Sequence, residues 1–238
     1  MKLLDYIKYP WMIPSSLLNI KLNFEISAIS KKINLNKIKE ETVGILKQEN
    51  FLNHKGDHSG GWGAIGLITF GGDPYNDLCS DEEIKPTRLL QKCPEVQKII
   101  ELIPGIKQRV RIMEVKPNTR VFWHYDNGET IDDLDYKKNA RLHIPIFTNN
   151  LVEMNICHQK IEWEEGKIYY GDFSFPHMIH NKSNQNRIHL IIDVKISDDL
   201  LLLIPKNFMS KRIRRLFIKR ICQRSLNLFK KLNLIEND

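Results

Sequence analysis

QRVRIMEVKPNTRVFWHYD, residues 108–126, decides the fold of this chain. Polar and apolar side chains alternate through Gln108–Lys116, a Lys116-Pro117-Asn118 turn signal interrupts them, and extended patterning resumes over Arg120–Trp123. A period of two in short segments bounded by turn residues predicts consecutive β-strands. The pattern recurs at Asn139–Phe147, Val152–Cys157, Lys167–Tyr170 and Arg187–Lys195, punctuated by Asn127-Gly128, Asn149-Asn150 and Glu165-Gly166. Such a series predicts an antiparallel sandwich or barrel, a jelly-roll-like β core over residues 108–195.

Upstream the period changes. Residues 33–50 place Ile33, Ile38, Val43, Ile45 and Leu46 at helical spacing among charges, and Pro94–Leu102 reads as a second helix. Between them, His54–Gly72 holds seven glycines around Trp62 and an apolar stretch, Ala64–Phe70. Glycine there allows either close backbone approach by a ligand or a flexible loop leading into a strand. The fold class is mainly β with flanking helices: N-terminal helices, the β core, and a basic amphipathic helix at the C-terminus.

The 238 residues, 42% hydrophobic and 27% charged, suffice for one globular domain with its own core and exclude collagen-like, disordered and disulfide-scaffold classes. The net charge of +7 is unevenly placed: residues 206–238 carry ten basic and two acidic side chains, which leaves residues 1–205 at −1. The expected organisation is therefore a near-neutral body over 1–205 and a basic tail over 206–238. In the tail, Met209, Ile213, Leu216, Phe217, Ile221, Leu228 and Leu232 lie near one helical stripe. Partners weighed for it are the body of the protein, an anionic membrane surface, an acidic carrier or peptide and, last, nucleic acid. Cys79, Cys93, Cys157 and Cys222 have neither metal nor disulfide spacing and are expected to be reduced. Every apolar run near the N-terminus is broken by Asp5, Lys8 or a proline, so the chain is expected to be cytoplasmic.

The chemistry starts at His124 and Asp126, two residues apart at the end of a strand, where side chains of an extended chain share a face. Adding His177, fifty-one residues after Asp126, gives two imidazoles and a carboxylate. That set holds non-haem Fe(II) with positions left open, and it also suits zinc. Arg141 and His143 lie opposite Leu142, Ile144 and Ile146 on one strand, and Arg187 and His189 lie opposite Ile188, Leu190 and Ile192 on another. Two cation-bearing faces near a metal suit a cosubstrate with a carboxylate at each end, because arginine binds carboxylate through a rigid fork.

The ordered set Arg109/Arg111, His124/Asp126, Arg141/His143, Gly166-Lys167, Ser174-Phe175-Pro176-His177, Asn181 and Arg187 resembles the aspartyl/asparaginyl β-hydroxylase family of Fe(II)- and 2-oxoglutarate-dependent dioxygenases. The likeness covers roughly residues 58–195, and Asp126 aligns the chain with the bacterial, proline-hydroxylase-like branch that has a full His-x-Asp…His triad. The resemblance implies a double-stranded β-helix, a cupin-like jelly roll, with His124, Asp126 and His177 on Fe(II). Arg187 would pair with the distal carboxylate of 2-oxoglutarate, and Arg141 and His143 would contact cosubstrate or substrate carboxylates. Trp62 is the expected substrate contact. The implied reaction consumes O2, releases succinate and CO2, and hydroxylates an amino acid, free or in a peptide, of Asp, Asn or Pro type. The rivals are a same-fold oxygenase performing desaturation or ring chemistry, and a non-catalytic metal-binding module acting through its tail. His180, three residues after His177, is expected to support the pocket, as is His189.

Overall fold

Hydrogen-bond register sorts the alternating segments into two sheets. The computed structural model describes residues 3–54, 56–76, 80–127, 130–132 and 139–235. In chain order the strands are β1 (Asn23–Glu25), β2 (Leu52–Asn53), β3 (Trp62–Phe70), β4 (Ile84–Pro86), β5 (Lys107–Val115), β6 (Arg120–His124), β7 (Asn139–Phe147), β8 (Val152–Ile156), β9 (Gln159–Lys160), β10 (Tyr169–Gly171), β11 (His177–Asn181) and β12 (Arg187–Lys195). The larger sheet runs β1-β10-β7-β12-β5-β3-β2 with β4 on β3, and the smaller runs β6-β11-β8-β9. The pairings are antiparallel throughout. From β5 onward the chain passes back and forth between the sheets, which is the winding of a double-stranded β-helix, as expected.

The helices are α1 (Leu3–Lys8), α2 (Ile13–Leu17), α3 (Ser27–Ser30), α4 (Leu35–Leu46), α5 (Pro94–Leu102), α6 (Asp198–Leu201), α7 (Lys206–Met209) and α8 (Arg212–Lys231). α4 starts where the Asn34 side chain accepts the Lys37 backbone N–H, and it buries Ile38, Thr42 and Ile45. Val43, expected in its apolar stripe, is 37% exposed. Together with Val96 and Ile99 of α5, these residues cover the outer face of the larger sheet, where Val110, Ile112, Leu142, Ile144, Ile146, Leu190, Ile192 and Val194 form one apolar cluster. The opposite faces of β5, β7 and β12 are thereby turned toward the smaller sheet, and their arginines and histidines look inward rather than to solvent.

Of the glycine-rich region, Trp62–Phe70 forms strand β3, and the segment before it runs along the cavity through His54 and Asp57. Gly61, at φ 79°, makes the turn into β3. At Gly63 a Cβ would lie 2.9 Å from the Leu52 carbonyl oxygen, so the absent side chain serves β2–β3 pairing. Cys93, Cys157 and Cys222 are free and buried, and Cys79 lies outside the described residues. No helix among the described residues is long and apolar enough to cross a membrane.

The tail folds onto the body by a face other than the expected stripe. α8 buries Arg215, Ile218, Cys222 and Leu226, whereas Ile213, Phe217, Ile221 and Leu228 point outward. The reason is Arg215. Its Nε and Nη2 donate to Asp132 Oδ2 and Oδ1 at 2.6 and 2.5 Å, and its Nη1 donates to the Phe208 carbonyl at 2.6 Å. The guanidinium also stacks 3.5 Å from the Phe208 ring centroid, and the Arg215 side chain has no solvent exposure. Burying that cation against its carboxylate fixes the rotation of the helix. Arg215→Met strands the Asp132 charge and should cost about 3–5 kcal/mol of unfolding free energy by urea denaturation, with Asp132→Leu in the same chain recovering most of it.

At the other end of the chain, the Ser15 hydroxyl donates to the Met12 carbonyl, and His158 Nδ1 lies 2.9 Å from Ser15 Oγ as its donor. Burial pushes the His158 pKa down to about 4. Below about pH 6.5 the unfolded chain therefore takes up a proton that the folded protein resists, and stability falls as pH drops through this window. Allowing for the ring's partial solvent access, the wild type should lose about 1–2 kcal/mol more than His158→Gln between about pH 7 and pH 4.5, read from urea midpoints at each pH.

Candidate active site

Between the two sheets lies a cavity of about 430 Å³, and the predicted site residues line it: Trp62, His124, Asp126, Arg141, His143, His177 and Arg187. Three of them follow from strand alternation, because Arg141 and His143 on β7 and Arg187 on β12 occupy inward positions, with Ile191 register-paired to both His143 and Arg111.

His124 arrives differently. β11 pairs with β6 at His177–His124 and again at Ile179–Val121, so β6 carries one extra residue between these pairs. This β-bulge lets Val121 and His124 both line the cavity although they are three residues apart, which simple alternation forbids. Asp126 follows just beyond the strand, its backbone N–H donating to the Phe173 carbonyl at 2.9 Å. One ligand atom from each of His124, Asp126 and His177 lies within 4.8 Å of the others. The two imidazoles are held alike: His124 Nδ1 lies 2.8 Å from the Phe122 carbonyl and His177 Nδ1 lies 2.9 Å from the Phe175 carbonyl. An N–H donated to a carbonyl places the proton on Nδ1 and leaves the Nε2 lone pair available. Burial and the neighbouring His124 hold His177 at a pKa of about 3, so it is neutral and ready to ligate at ordinary pH. Such a donor set fits a hard or borderline divalent metal.

At the far end, Arg187 is 2% exposed. Among the described residues it meets no carboxylate; its Nη2 reaches His189 Nδ1 at 3.0 Å and Met154 Sδ at 3.6 Å. Burial pushes its pKa down, as expected of a cation without a counter-ion, and the position fits an incoming carboxylate. Close by, both ring nitrogens of buried His143 lack a hydrogen-bond partner, a second sign that a polar ligand belongs there. Arg187 and Met154 also line a separate cavity of about 350 Å³ with Lys160, Glu162 and Trp163, so they form the partition between the two.

Arg141 does more than line the wall. Its Nη1 donates to Asp126 Oδ2, and its Nε and Nη2 reach Asp193 Oδ1 and Oδ2 at 2.8 and 3.2 Å. Asp193, fully buried, also receives Arg109 Nη2 at 3.0 Å and Arg111 Nη2 at 3.3 Å. Burial alone would raise both carboxyls. The adjacent guanidiniums, with the two imidazoles in the case of Asp126, hold each below the usual carboxylate range. Asp193 was not among the residues predicted from sequence, although it shares a β12 face with Arg187 and His189. Trp62 stands on the wall between His54 and His124, with ring centroids 4.5 and 5.7 Å away. His54 and Asp57 also line the cavity without having been predicted. His180 alternates away from His177 on β11 and does not line it.

Three solved structures are similar to this chain at low identity. A prolyl hydroxylase from Trichoplax adhaerens in complex with a hypoxia-inducible-factor peptide fragment is similar at 13% identity, covering 86% of this chain and 98% of its own, with a TM-score of 0.45. The viral collagen prolyl hydroxylase of Paramecium bursaria Chlorella virus-1, in its 2-oxoglutarate complex, shares 12% identity over 74% of this chain and 97% of its own, with a TM-score of 0.43. A 2-oxoglutarate–Fe(II) oxygenase family oxidoreductase from Burkholderia pseudomallei shares 8% identity over 66% and 77%, with a TM-score of 0.42. No curated protein matches the sequence. The family model for aspartyl/asparaginyl β-hydroxylase matches residues 32–196, well over half of the chain. The chain belongs to the aspartyl/asparaginyl β-hydroxylase family.

Proposed function

We propose that the chain hydroxylates an amino acid, free or within a peptide, with His124, Asp126 and His177 holding Fe(II) and Arg187, His143 and Arg141 receiving the carboxylates of 2-oxoglutarate. The observation that carries this reading is the polarity of one cavity. A His-Asp-His cluster sits at one end, and a buried arginine that meets no carboxylate among the described residues sits at the other.

When bound, the Fe(II)–2-oxoglutarate pair supplies the oxidising chemistry with O2, giving succinate, CO2 and the hydroxylated product. The chain's own part is positional. The Phe122 and Phe175 carbonyls hold each Nδ1 proton, so Nε2 of both imidazoles stays directed at the metal position. Arg187 neutralises a carboxylate that would otherwise be buried as a lone charge, and His143 supplies a ring nitrogen without competing protein partners. Arg141, braced by Asp193, orients Asp126. Arg109, Arg111, Arg141 and Arg187 outnumber Asp57 and Asp126 among the residues that line the cavity, which favours anionic groups such as cosubstrate and substrate carboxylates. Trp62 and His54 offer an aromatic surface for the substrate side chain. A cavity of about 430 Å³ that also admits a five-carbon dicarboxylate leaves space for one amino-acid side chain.

Two variants test the two ends separately. His177→Ala should lose stoichiometric Fe(II) in anaerobic metal-binding measurements and fall to background in succinate release; a variant that keeps its iron and its rate removes the metal assignment. Arg187→Gln should raise the apparent KM for 2-oxoglutarate about tenfold or more with little change in Fe(II) binding, the loss expected for a charge-assisted contact. Product masses decide the reaction type: one added oxygen atom supports hydroxylation, and loss of two hydrogens means desaturation.

A further inference from the structure

Most of the apolar stripe of the tail, for which the body was one of several partners weighed, faces outward. Ile213 is 82% exposed, Phe217 67%, Ile221 39%, Leu228 53% and, one residue past the helix, Leu232 56%. These positions recur at helical spacing along one side, opposite the buried Arg215, Ile218, Cys222 and Leu226. Isolated exposed leucines are ordinary, whereas a row of five large apolar side chains on the outer face of a surface helix marks an interaction site.

The charges beside the row narrow what the site takes. Arg214, Arg220, Arg224 and Lys231 are exposed along the same side and form no ion pair among the described residues. The other cations of the helix turn to the body: Arg212 donates to the Asp132 carbonyl, Arg215 pairs with Asp132, half-buried Lys219 lies in the field of Asp132 and Asp172, and Lys230 Nζ lies 2.9 Å from Asp57 Oδ1. No acidic residue occurs between Asp199 and Glu236. An apolar row flanked by cations and free of acids matches a surface with anionic groups above a hydrocarbon layer. Self-association across a two-fold axis would set these cations against their own copies. Nucleic acid would leave the aliphatic row without a partner.

We infer that the outer face of α8 is a peripheral docking surface for bilayers containing anionic lipid. Its position gives docking a consequence for the cavity. Asn227 Nδ2 donates to the Tyr125 hydroxyl at 2.9 Å, and Lys230 holds Asp57; Tyr125 and Asp57 both line the cavity. A protein docked through α8 therefore carries the rim of its cavity beside the lipid surface. The inference stands on the helix and not on the identity of the substrate.

The test is co-sedimentation of the full-length protein with vesicles of phosphatidylcholine mixed with phosphatidylglycerol, against vesicles of phosphatidylcholine alone. Binding to the mixed vesicles, absence from the neutral ones and loss on adding salt are expected. Arg220→Gln and Arg224→Gln should each weaken partitioning about fivefold. Phe217→Ser with Ile213→Ser should weaken it at least tenfold, while circular dichroism and the urea midpoint stay at wild-type values because both side chains are mostly in water. Equal partitioning to the two vesicle types, or binding that survives Phe217→Ser/Ile213→Ser, overturns the inference. So does a dimer in light scattering that the same double variant abolishes, since the row would then belong to a second copy.

Discussion

One carboxylate organises the inner wall of this barrel. Asp193 stands on β12, the strand that pairs with β7 on one side and β5 on the other, and it gathers Arg141 from the first and Arg109 and Arg111 from the second. Three guanidiniums on neighbouring strands would repel one another in a low-dielectric interior; Asp193 among them offsets that repulsion. The network then reaches the candidate metal end through Arg141, whose other nitrogen holds Asp126. Strand pairing, wall charge and the orientation of one proposed ligand thus share a single buried group.

Much of this was legible because the larger sheet buries one apolar face under helices. Alternation marks β7 and β12 at their observed limits, and α5 likewise, since Pro94 opens it and its apolar positions keep helical spacing. β3 is harder to read because it is buried on both faces and reads as a continuous apolar run with glycines. The triad residues could be named from residue type and order, but the bulge that aims His124 is a property of the β6–β11 register, which no local pattern encodes. Asp193 is the sharper omission: its face on β12 follows from counting by two, yet its importance appears only when strands distant in sequence are laid side by side.

The tail shows the opposite difficulty. Its helical wheel carries two apolar stripes, and the richer one looked like the packing face. The choice between them turns on Arg215, a residue type that sequence patterning assigns to solvent, and on Asp132, eighty-three residues away. A buried ion pair overrode hydrophobic patterning, and the surplus apolar surface became an exterior feature.

The partition formed by Arg187 and Met154 has a consequence for how such a site changes over time. On the proposed assignment, the span between the metal end and the carboxylate end is set by how far β12 has advanced along β5 and β7. A strand advances about 3.3 Å per residue, and a slip must move two residues to keep arginine facing inward, a step of about 7 Å. That step exceeds the difference between neighbouring dicarboxylates by several-fold. Cosubstrate length is therefore a quantised property of backbone alignment, shielded from gradual drift in the lining side chains, and substrate preference can diversify at the other end of the cavity without disturbing it.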